Sequence, residues 1–359
     1  MRVGLVIYGD LNTLSGGYLY DRKLVSFLQS QGDNVEIISL PWRNYPRHWM
    51  HNLNPALRER LRDLRVDVLL QDELNHPSLF ILNHQLRKDV PYALVSIVHH
   101  LRCMEEHPRV LRWLYRQVER RYLNSVDGFI CNSQTTLQSV SNLLKAEKPA
   151  VVATPGGDAL SAEGADTNSN AYSHKDDLHF IFVGNWIPRK GLHTLLRALQ
   201  DLTSFHWQLS LVGRTNLQPS YEKKIRQMIE SGGLGRRVRI YGAVSDDELV
   251  KIWQSADVLV VPSQYEGFGI VYLEAQRFGV IPVAGQSGAA SEIIQSGVNG
   301  FLVPPESPAA LKKVLLELLS DADLRVALSK AARRRYEEFP TWQESMATAR
   351  RFLIEHFLY

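Results

Sequence analysis

The chain has 359 residues but only two cysteines, Cys103 and Cys131, too few for a fold built on disulfide bridges. It also lacks any run of about 20 apolar residues, the length that a transmembrane helix requires. Residues 1–8 form a short apolar run that is followed at once by Gly9 and Asp10. This pattern is typical of a first β-strand and not of an export signal. Together these features predict a cytoplasmic protein with reduced thiols.

An excess of charge of one sign is also missing. The 41 basic and 38 acidic residues leave a net charge of +3, which is too balanced to predict nucleic acid as a partner. The small basic excess lies in the first half of the chain, where Arg109, Arg112, Arg116 and Arg120 recur at helical spacing beside Trp113. Two interpretations stay open for this face: an ordinary solvated helix surface, or a surface that meets anionic lipid or an anionic acceptor.

Short runs rich in Val, Ile and Leu alternate with amphipathic stretches along nearly the whole chain. Strands are predicted over 2–8, 34–40, 66–71, 92–98, 127–132, 149–154, 179–184, 207–212, 237–242, 257–262, 280–284 and 300–303. This alternation predicts two doubly wound α/β domains with largely parallel sheets. Ligands of such sheets bind at the carboxyl ends of the strands, so we expect the site in the cleft between the domains.

The alternation breaks at 154–157, where we expect a hinge. The segment 158–177, rich in Ser, Ala, Asn, Asp and Gly, is predicted to be a linker or surface loop. A last amphipathic helix is predicted over 341–359, after Pro340.

The segment 257–275 is the most informative part of the sequence. It combines an apolar strand, a Glu-Gly-Phe-Gly turn at 266–269 and a helix that contains Glu274. Glycines at such a turn allow a ligand to approach the backbone, and the free N–H groups of a helix start attract an anion such as a diphosphate. The two carboxylates could then bind hydroxyl groups at opposite ends of one ligand. A sugar joined through a diphosphate to a ribose has that layout.

This segment resembles the Glu-x7-Glu motif of the retaining glycosyltransferases of the GT-B fold known as glycosyltransferase family 4. Segments resembling the family extend over nearly the whole chain, at 182–192, 211–213, 238–249 and 297–303. The resemblance implies an α/β GT-B fold in which two Rossmann-like domains face each other across a deep cleft. It implies an acceptor-binding domain over 1–156, to which a helix over 342–359 crosses back, and a nucleotide-sugar-binding domain over 157–341.

The resemblance also implies roles for residues of the second domain. Glu266 would contact the hydroxyls of the transferred sugar, Glu274 would hold the ribose, and Lys190 would neutralise the diphosphate leaving group. Further donor-binding residues implied in this way are Gly267, Phe268, Gly269, Ile270 and Ala243. The chain departs from the family at Asn185, where an arginine is usual, and the nearby Arg189 is the residue that could supply the missing charge.

In the first domain, Gly16 and Gly17 resemble the family's glycine loop, which approaches the diphosphate and the acceptor. His99 follows a predicted strand and matches the family's active-site histidine, with His100 as the alternative. A strand end that faces a cleft makes a functional role for such a histidine more plausible than it would be elsewhere.

The implied reaction is transfer of a hexose with retention of the anomeric configuration, in which Glu266 positions the sugar and is not a nucleophile. No metal ion or other cofactor is expected, because the Asp-x-Asp at 321–323 is predicted to cap a helix. UDP-glucose is the first candidate donor, with GDP-mannose and UDP-galactose as alternatives. The acceptor would be a saccharide or a lipid-linked saccharide.

Other functions are also compatible with such a fold. A non-catalytic nucleotide-sugar-binding protein is the main alternative, although intact Glu266, Lys190 and His99 argue against it. A sugar-nucleotide epimerase shares the two-domain architecture but not the motif. A nicotinamide-dependent dehydrogenase is disfavoured because no Gly-x-Gly-x-x-Gly is present.

Overall fold

A computed structural model of the chain describes residues 1–160 and 177–358. The chain forms two compact units: unit 1 comprises Met1–Pro155 and Pro340–Tyr359, and unit 2 comprises Gly156–Phe339. Most of the predicted linker, 161–176, lies outside the described residues. In the described ranges, no helix combines the length and the apolar character needed to cross a bilayer.

Unit 1 is built on a six-stranded parallel sheet in the order β2-β1-β3-β4-β5-β6. Its strands are β1 (Arg2–Tyr8), β2 (Asn34–Leu40), β3 (Val68–Asp72), β4 (Ala93–Val98), β5 (Gly128–Cys131) and β6 (Ala150–Val152). Its first helices are α1 (Gly16–Ser30), α2 (Tyr45–His48), α3 (Pro55–Arg62), α4 (His76–Leu79), α5 (Leu82–Leu86), α6 (Arg109–Ser125) and α7 (Gln134–Ser141). Single 3-10 turns span Trp49–Leu53, Glu73–Asn75 and Arg102–Met104.

Unit 2 repeats this plan with a six-stranded parallel sheet in the order β12-β11-β10-β7-β8-β9. Its strands are β7 (Leu178–Val183), β8 (Trp207–Val212), β9 (Val238–Gly242), β10 (Val258–Val261), β11 (Ile281–Gly285) and β12 (Phe301–Val303). Its helices are α8 (Leu192–Gln200), α9 (Pro219–Ser231), α10 (Asp246–Ser255), α11 (Ile270–Arg277), α12 (Ala290–Ile293), α13 (Pro308–Ser320) and α14 (Ala322–Glu337), with a 3-10 turn at Pro188–Lys190.

The last helix, α15 (Trp342–Phe357), packs in unit 1 against α1 and β6. It buries Phe352 and Leu353 on its apolar face. On its other side Arg350 Nε donates to Asp33 Oδ2 at 2.7 Å. The predicted amphipathic character of this helix is therefore what attaches it to unit 1.

The two-sheet architecture confirms the α/β fold predicted from the sequence. All twelve predicted strands are present, and each lies within two residues of its predicted ends. The strands could be predicted because many are rich in apolar residues and buried on both faces, as β1, β3, β5, β10 and β11 show. Helices that cover both faces of a parallel sheet produce that pattern.

Each sheet has one topological switch point. In unit 1, β2 and β3 lie on opposite sides of β1, and in unit 2, β8 and β10 lie on opposite sides of β7. The loops after two such neighbouring strands run in opposite directions and leave a crevice at the carboxyl edge of the sheet, where ligands bind. The switch points therefore lie between β1 and β3 and between β7 and β10.

Candidate functional site

The switch point of unit 2 brings together the predicted residues Lys190, Arg189 and Glu266. Lys190 Nζ lies 2.5 Å from Glu266 Oε1, and Arg189 Nη1 lies 3.8 Å from Glu266 Oε2. The two cations belong to the turn between β7 and α8, whereas Glu266 belongs to the loop after β10. The sheet thus joins residues that are 76 positions apart in the sequence.

Glu266 is buried, and one of its two carboxylate oxygens is already hydrogen-bonded. Ser263 Oγ donates to Glu266 Oε1 at 2.6 Å, so this oxygen accepts from both the serine and Lys190. Burial alone would raise the pKa of Glu266, but the positive charges of Lys190 and Arg189 outweigh it and lower this pKa below its ordinary value. Glu266 is therefore ionised at neutral pH.

Two glycines with positive φ allow the turns of this site to adopt their backbone conformations. Gly191 has a φ of +73°, and a Cβ there would come within 2.2 Å of the carbonyl oxygen of Pro262. The turn that carries Lys190 can approach the end of β10 only because this position has no side chain. Gly269, with a φ of +98°, is the N-cap of α11.

The remaining residues of the Glu-Gly-Phe-Gly turn differ in burial. The Phe268 side chain is buried and packs edge-on against Phe339, whereas Gly267 is half-buried. Ile270 begins α11. This arrangement leaves the backbone N–H groups at the start of α11 as the polar groups that the turn offers to an anion.

Glu274 lies one turn further along α11 and is nearly buried. Burial, together with the nearby carboxylate of Asp246, raises its pKa to about 7, and Arg277 opposes this only in part. Asp246 begins α10 and follows Ala243 by three residues, so the exposed loop of Ala243 lies on the same side of the unit as Glu274. No hydrogen bond within the described ranges joins Ala243 to Glu266.

Asn185 follows β7 at the same switch point, and its carbonyl accepts from the N–H of Ile187 at 2.9 Å. Arg189, predicted to replace the missing arginine charge, donates to the carbonyl of Tyr265 at 2.6 Å. It therefore ties its own turn to the loop of Glu266 while its guanidinium remains close to that carboxylate.

In unit 1 the predicted residues Gly17 and His99 lie side by side. A Cβ on Gly17 would come within 3.1 Å of His99 Cδ2, and Gly16 begins the same helix, α1, after the N-cap Ser15. His99 Nε2 lies 3.1 Å from Asp21 Oδ1, whereas His100 Nε2 pairs with Glu105 Oε1 at 3.0 Å. Of the two histidines, His99 is thus the one at the switch point of unit 1.

Sequence reasoning missed the buried carboxylates around His99. Asp21 and Asp72 are almost fully buried. One carboxylate oxygen of each and one ring nitrogen of His99 all lie within 4.8 Å of one another. A signal for Asp21 was present, because it occupies the apolar stripe of α1 with Leu24, Val25 and Leu28. Nothing in the local pattern indicated Asp72.

A second buried cluster in unit 1 consists of Glu73, His76 and Glu119. Burial raises the pKa of Glu119 to about 7 and lowers that of His76 to about 4, so the imidazole is neutral. Its Nδ1–H donates to the carbonyl of Glu73 at 3.0 Å, and its Nε2 accepts from Tyr45 at 2.9 Å. Both ring nitrogens are used, which leaves no lone pair for a metal ion.

Glu119 instead has a structural task. Its carboxylate on α6 accepts from the backbone N–H groups of Arg102 and Cys103. It therefore anchors the 3-10 turn that follows His99 and His100 to the body of unit 1.

Two family profiles match the chain. The profile "Glycosyl transferases group 1" matches residues 165–335, and the profile "Glycosyl transferase 4-like domain" matches residues 15–157. The first covers the Lys190–Glu266 site and Glu274, and the second covers Gly16, Gly17 and His99.

Among characterised relatives, the D-inositol 3-phosphate glycosyltransferase of Corynebacterium jeikeium is 29% identical over 242 residues, which are 64% of this chain and 58% of the relative. The O-antigen chain mannosyltransferase C of Escherichia coli is 28% identical over 258 residues, which are 70% of this chain and 66% of the relative. The chain thus spans little more than half the length of the first relative.

Solved structures agree in fold. Sucrose-phosphate synthase of Thermosynechococcus elongatus superimposes with a TM-score of 0.83 at 21% identity, over 99% of this chain and 98% of that one. Alr3699/HepE of Anabaena, solved in complex with UDP and glucose, gives a TM-score of 0.77 at 18% identity, over 99% and 100% of the two chains. At these identities the likeness concerns the fold alone.

Proposed function

The chain belongs to the group 1, or family 4, glycosyltransferases of the GT-B fold, and from this premise we propose that it transfers a hexose from a nucleotide-diphosphate sugar to a saccharide or lipid-linked saccharide, with retention of configuration. The observation that carries the proposal is the convergence of Lys190, Arg189 and Glu266 at the switch point of unit 2. Two cations and one ionised carboxylate at a ligand-binding crevice suit a substrate with both a diphosphate and sugar hydroxyls.

In this proposal unit 2 binds the donor. The Lys190 ammonium has three N–H donors and gives one to Glu266, so the others can hold diphosphate oxygens. The Glu266 carboxylate then accepts from hydroxyls of the sugar, and Glu274 accepts from the ribose. Gly267, Phe268, Gly269, Ile270, Asn185 and Ala243 complete the donor site.

The reaction depends mainly on stabilising the leaving group. The bond between the anomeric carbon and the diphosphate oxygen breaks, and its electron pair stays on that oxygen. Lys190 and Arg189 are already in place to receive the added negative charge. The acceptor oxygen bonds to the anomeric carbon from the same face, and its proton passes to the departing phosphate oxygen.

Unit 1 supplies His99, Gly16 and Gly17 to the same reaction and holds the acceptor. No metal ion or other cofactor is part of this scheme. UDP-glucose is the first candidate donor, supported by the solved relative that holds UDP and glucose, and GDP-mannose and UDP-galactose are the alternatives. The reaction would take place in the cytoplasm, where Cys103 and Cys131 would remain the free, buried thiols that they are here.

The proposal also includes a membrane-facing surface on α6. The first turn, Arg109–Trp113, is exposed throughout, with Val110 77% and Trp113 62% exposed. Among the described residues no carboxylate pairs with Arg109, Arg112 or Arg116. Apolar side chains among unpaired cations fit the interface of an anionic membrane. A lipid-linked acceptor would be met at such a surface.

The experiment that tests this function is a thermal-shift screen of UDP-, GDP- and ADP-sugars, followed by a transfer assay with the donor that binds. A ligand that binds only the folded protein raises its melting temperature. We expect one nucleotide class to do so and to support transfer in excess EDTA. A protein that binds a nucleotide sugar but neither transfers nor hydrolyses it would be the non-catalytic alternative, and loss of transfer in EDTA would contradict the metal-free scheme.

A further inference from the structure

Three titratable side chains from separate elements converge at the switch point of unit 1. Asp21 lies on α1, which follows β1, Asp72 ends β3, and His99 follows β4. Because β1, β3 and β4 are neighbours in the sheet, the elements that follow them meet at one edge. This is the position in unit 1 that corresponds to the Lys190–Glu266 site of unit 2.

The ring of His99 is held from several directions. Its Nε2 lies 3.1 Å from Asp21 Oδ1, and the Tyr20 ring contacts it edge-on with 5.2 Å between the ring centroids. Gly17 lies so close to the ring that a Cβ there would be 3.1 Å from His99 Cδ2. Asn132 Nδ2 donates to the His99 carbonyl at 2.8 Å and fixes its backbone. Because a carboxylate can only accept, Nε2 carries a proton.

The charges around His99 decide its protonation state. Burial opposes a charge on the ring, yet the carboxylates of Asp21, Asp72 and Glu73 together raise the pKa of His99 to about 9. Asp21 is the largest of these contributors to the raised pKa. Among the described residues, these three carboxylates, on α1, at the end of β3 and in the turn that follows it, are the charged groups that act on the ring, while the Tyr20 hydroxyl donates away from it to the carbonyl of Ala153.

We propose that Asp21 is a positioning residue for His99: its buried carboxylate fixes the imidazole through Nε2 and keeps it cationic, so that His99 meets a ligand oxygen as a fixed hydrogen-bond donor through Nδ1 and not as a proton acceptor. Within the described residues nothing bonds to Nδ1, which leaves it for the ligand. The inference rests on the proposed function, since that function assigns His99 to the reaction.

Asp72 differs from Asp21 in what it contributes. Burial and the neighbouring Asp21 raise the pKa of Asp72 to about 7, and one of its oxygens already accepts from the N–H of Leu74 at 2.9 Å. Near neutral pH this carboxyl is therefore partly protonated and adds less to the charge of His99. Asp72→Asn is thus expected to disturb His99 less than Asp21→Asn.

The first experiment is an NMR titration of the histidine side chains in the full chain, from pH 5 to pH 10 in excess EDTA. In the wild-type protein His99 should titrate near pH 9. In Asp21→Asn its pKa should fall to about 7, a shift within the range of about 1 to 3 that an adjacent opposite charge produces. Glu105→Gln, which removes the partner of His100, is the matched control and should leave His99 unchanged.

The second experiment is the pH profile of transfer. Asp21→Asn should lower kcat at pH 8 by about tenfold or more and regain part of it at pH 6, where the ring is protonated again. Asp21→Glu should restore part of the activity at pH 8. A loss of folding would lower activity at every pH, and melting curves would show it.

The outcomes separate this inference from the function on which it rests. If His99 of the wild-type protein titrates below pH 7, or if Asp21→Asn leaves its pKa near 9, the inference is wrong whatever the activity. If His99 behaves as expected but no nucleotide sugar supports transfer, the proposed function fails and the pairing stands. An Asp21→Asn enzyme with the wild-type pH profile would also overturn the inference.

Discussion

Lys190 Nζ and Glu266 Oε1 lie 2.5 Å apart and connect the turn after β7 to the loop after β10 across the switch point of unit 2. In the proposed function, this contact joins the cation that would hold the diphosphate to the carboxylate that would hold the sugar hydroxyls. Both groups are in place before a donor binds. The donor's diphosphate would accept hydrogen bonds from the Lys190 N–H groups that do not bond to Glu266.

Removing either partner should therefore impair transfer. We expect Lys190→Ala to lower kcat/KM by about 100- to 1,000-fold, the usual cost of losing one preorganised donor to a developing negative charge. Glu266→Ala should have an effect of similar size, because it removes the sugar contact and frees Lys190 to move. Steady-state kinetics with the donor found by thermal shift would measure both, and near wild-type rates in both variants would show that the site is elsewhere.

Lys190→Ala should also destabilise the protein. The side chains of Lys190 and Glu266 are only 17% and 8% exposed, so the variant leaves a buried carboxylate without its main cation, at a cost of about 3 kcal/mol. Lys312 provides a matched control in the same unit, since its 2.9 Å pair with Asp201 is 40% and 62% exposed. Lys312→Ala should cost less than about 1 kcal/mol. Urea unfolding of both variants tests the difference, and equal losses would contradict it.

The sequence could predict the sheets but only part of the site. The strands are apolar runs, and the Glu-Gly-Phe-Gly turn is a local pattern, so both are visible in short windows. The pairing of His99 with Asp21 spans 78 positions and depends on which strands are neighbours. Only the strand order reveals that the elements following β1, β3 and β4 meet.

A buried carboxylate can be recognised in the sequence when it interrupts the apolar stripe of a helix. Asp21 and Glu119 both occupy apolar stripes of their helices, where a carboxylate must have partners to be stable. A carboxylate at such a position indicates that a partner exists but does not identify that partner. In Asp21 the partner is His99, whereas in Glu119 it is the backbone of a turn.

Donor binding should depend on pH through Glu274. Burial and Asp246 raise its pKa to about 7, and the proposed contact with ribose hydroxyls requires the ionised form. The affinity for an intact nucleotide sugar should therefore fall by up to about tenfold from pH 8 to pH 6, since the free site must lose a proton before it binds. Calorimetry with UDP-glucose, whose diphosphate does not titrate in this range, measures it. Glu274→Gln should bind more weakly at pH 8 and show no such dependence, and a wild-type affinity that is constant over this range would exclude the role.

The exposed start of α6 should determine binding to anionic membranes. Trp113→Ala removes a 62% exposed apolar side chain, and Arg112→Glu reverses a charge beside it. Each basic residue near an anionic surface contributes about 1 kcal/mol, so Arg112→Glu should weaken binding to phosphatidylglycerol vesicles by at least about fivefold. The loss should be smaller at high salt, because ions screen this attraction. Lys223→Glu, an exposed reversal on α9 of unit 2, is the control. Co-sedimentation with vesicles measures the binding. If all variants bind equally, or if the wild-type protein binds phosphatidylcholine vesicles as well as phosphatidylglycerol vesicles, this face is only a solvated helix surface.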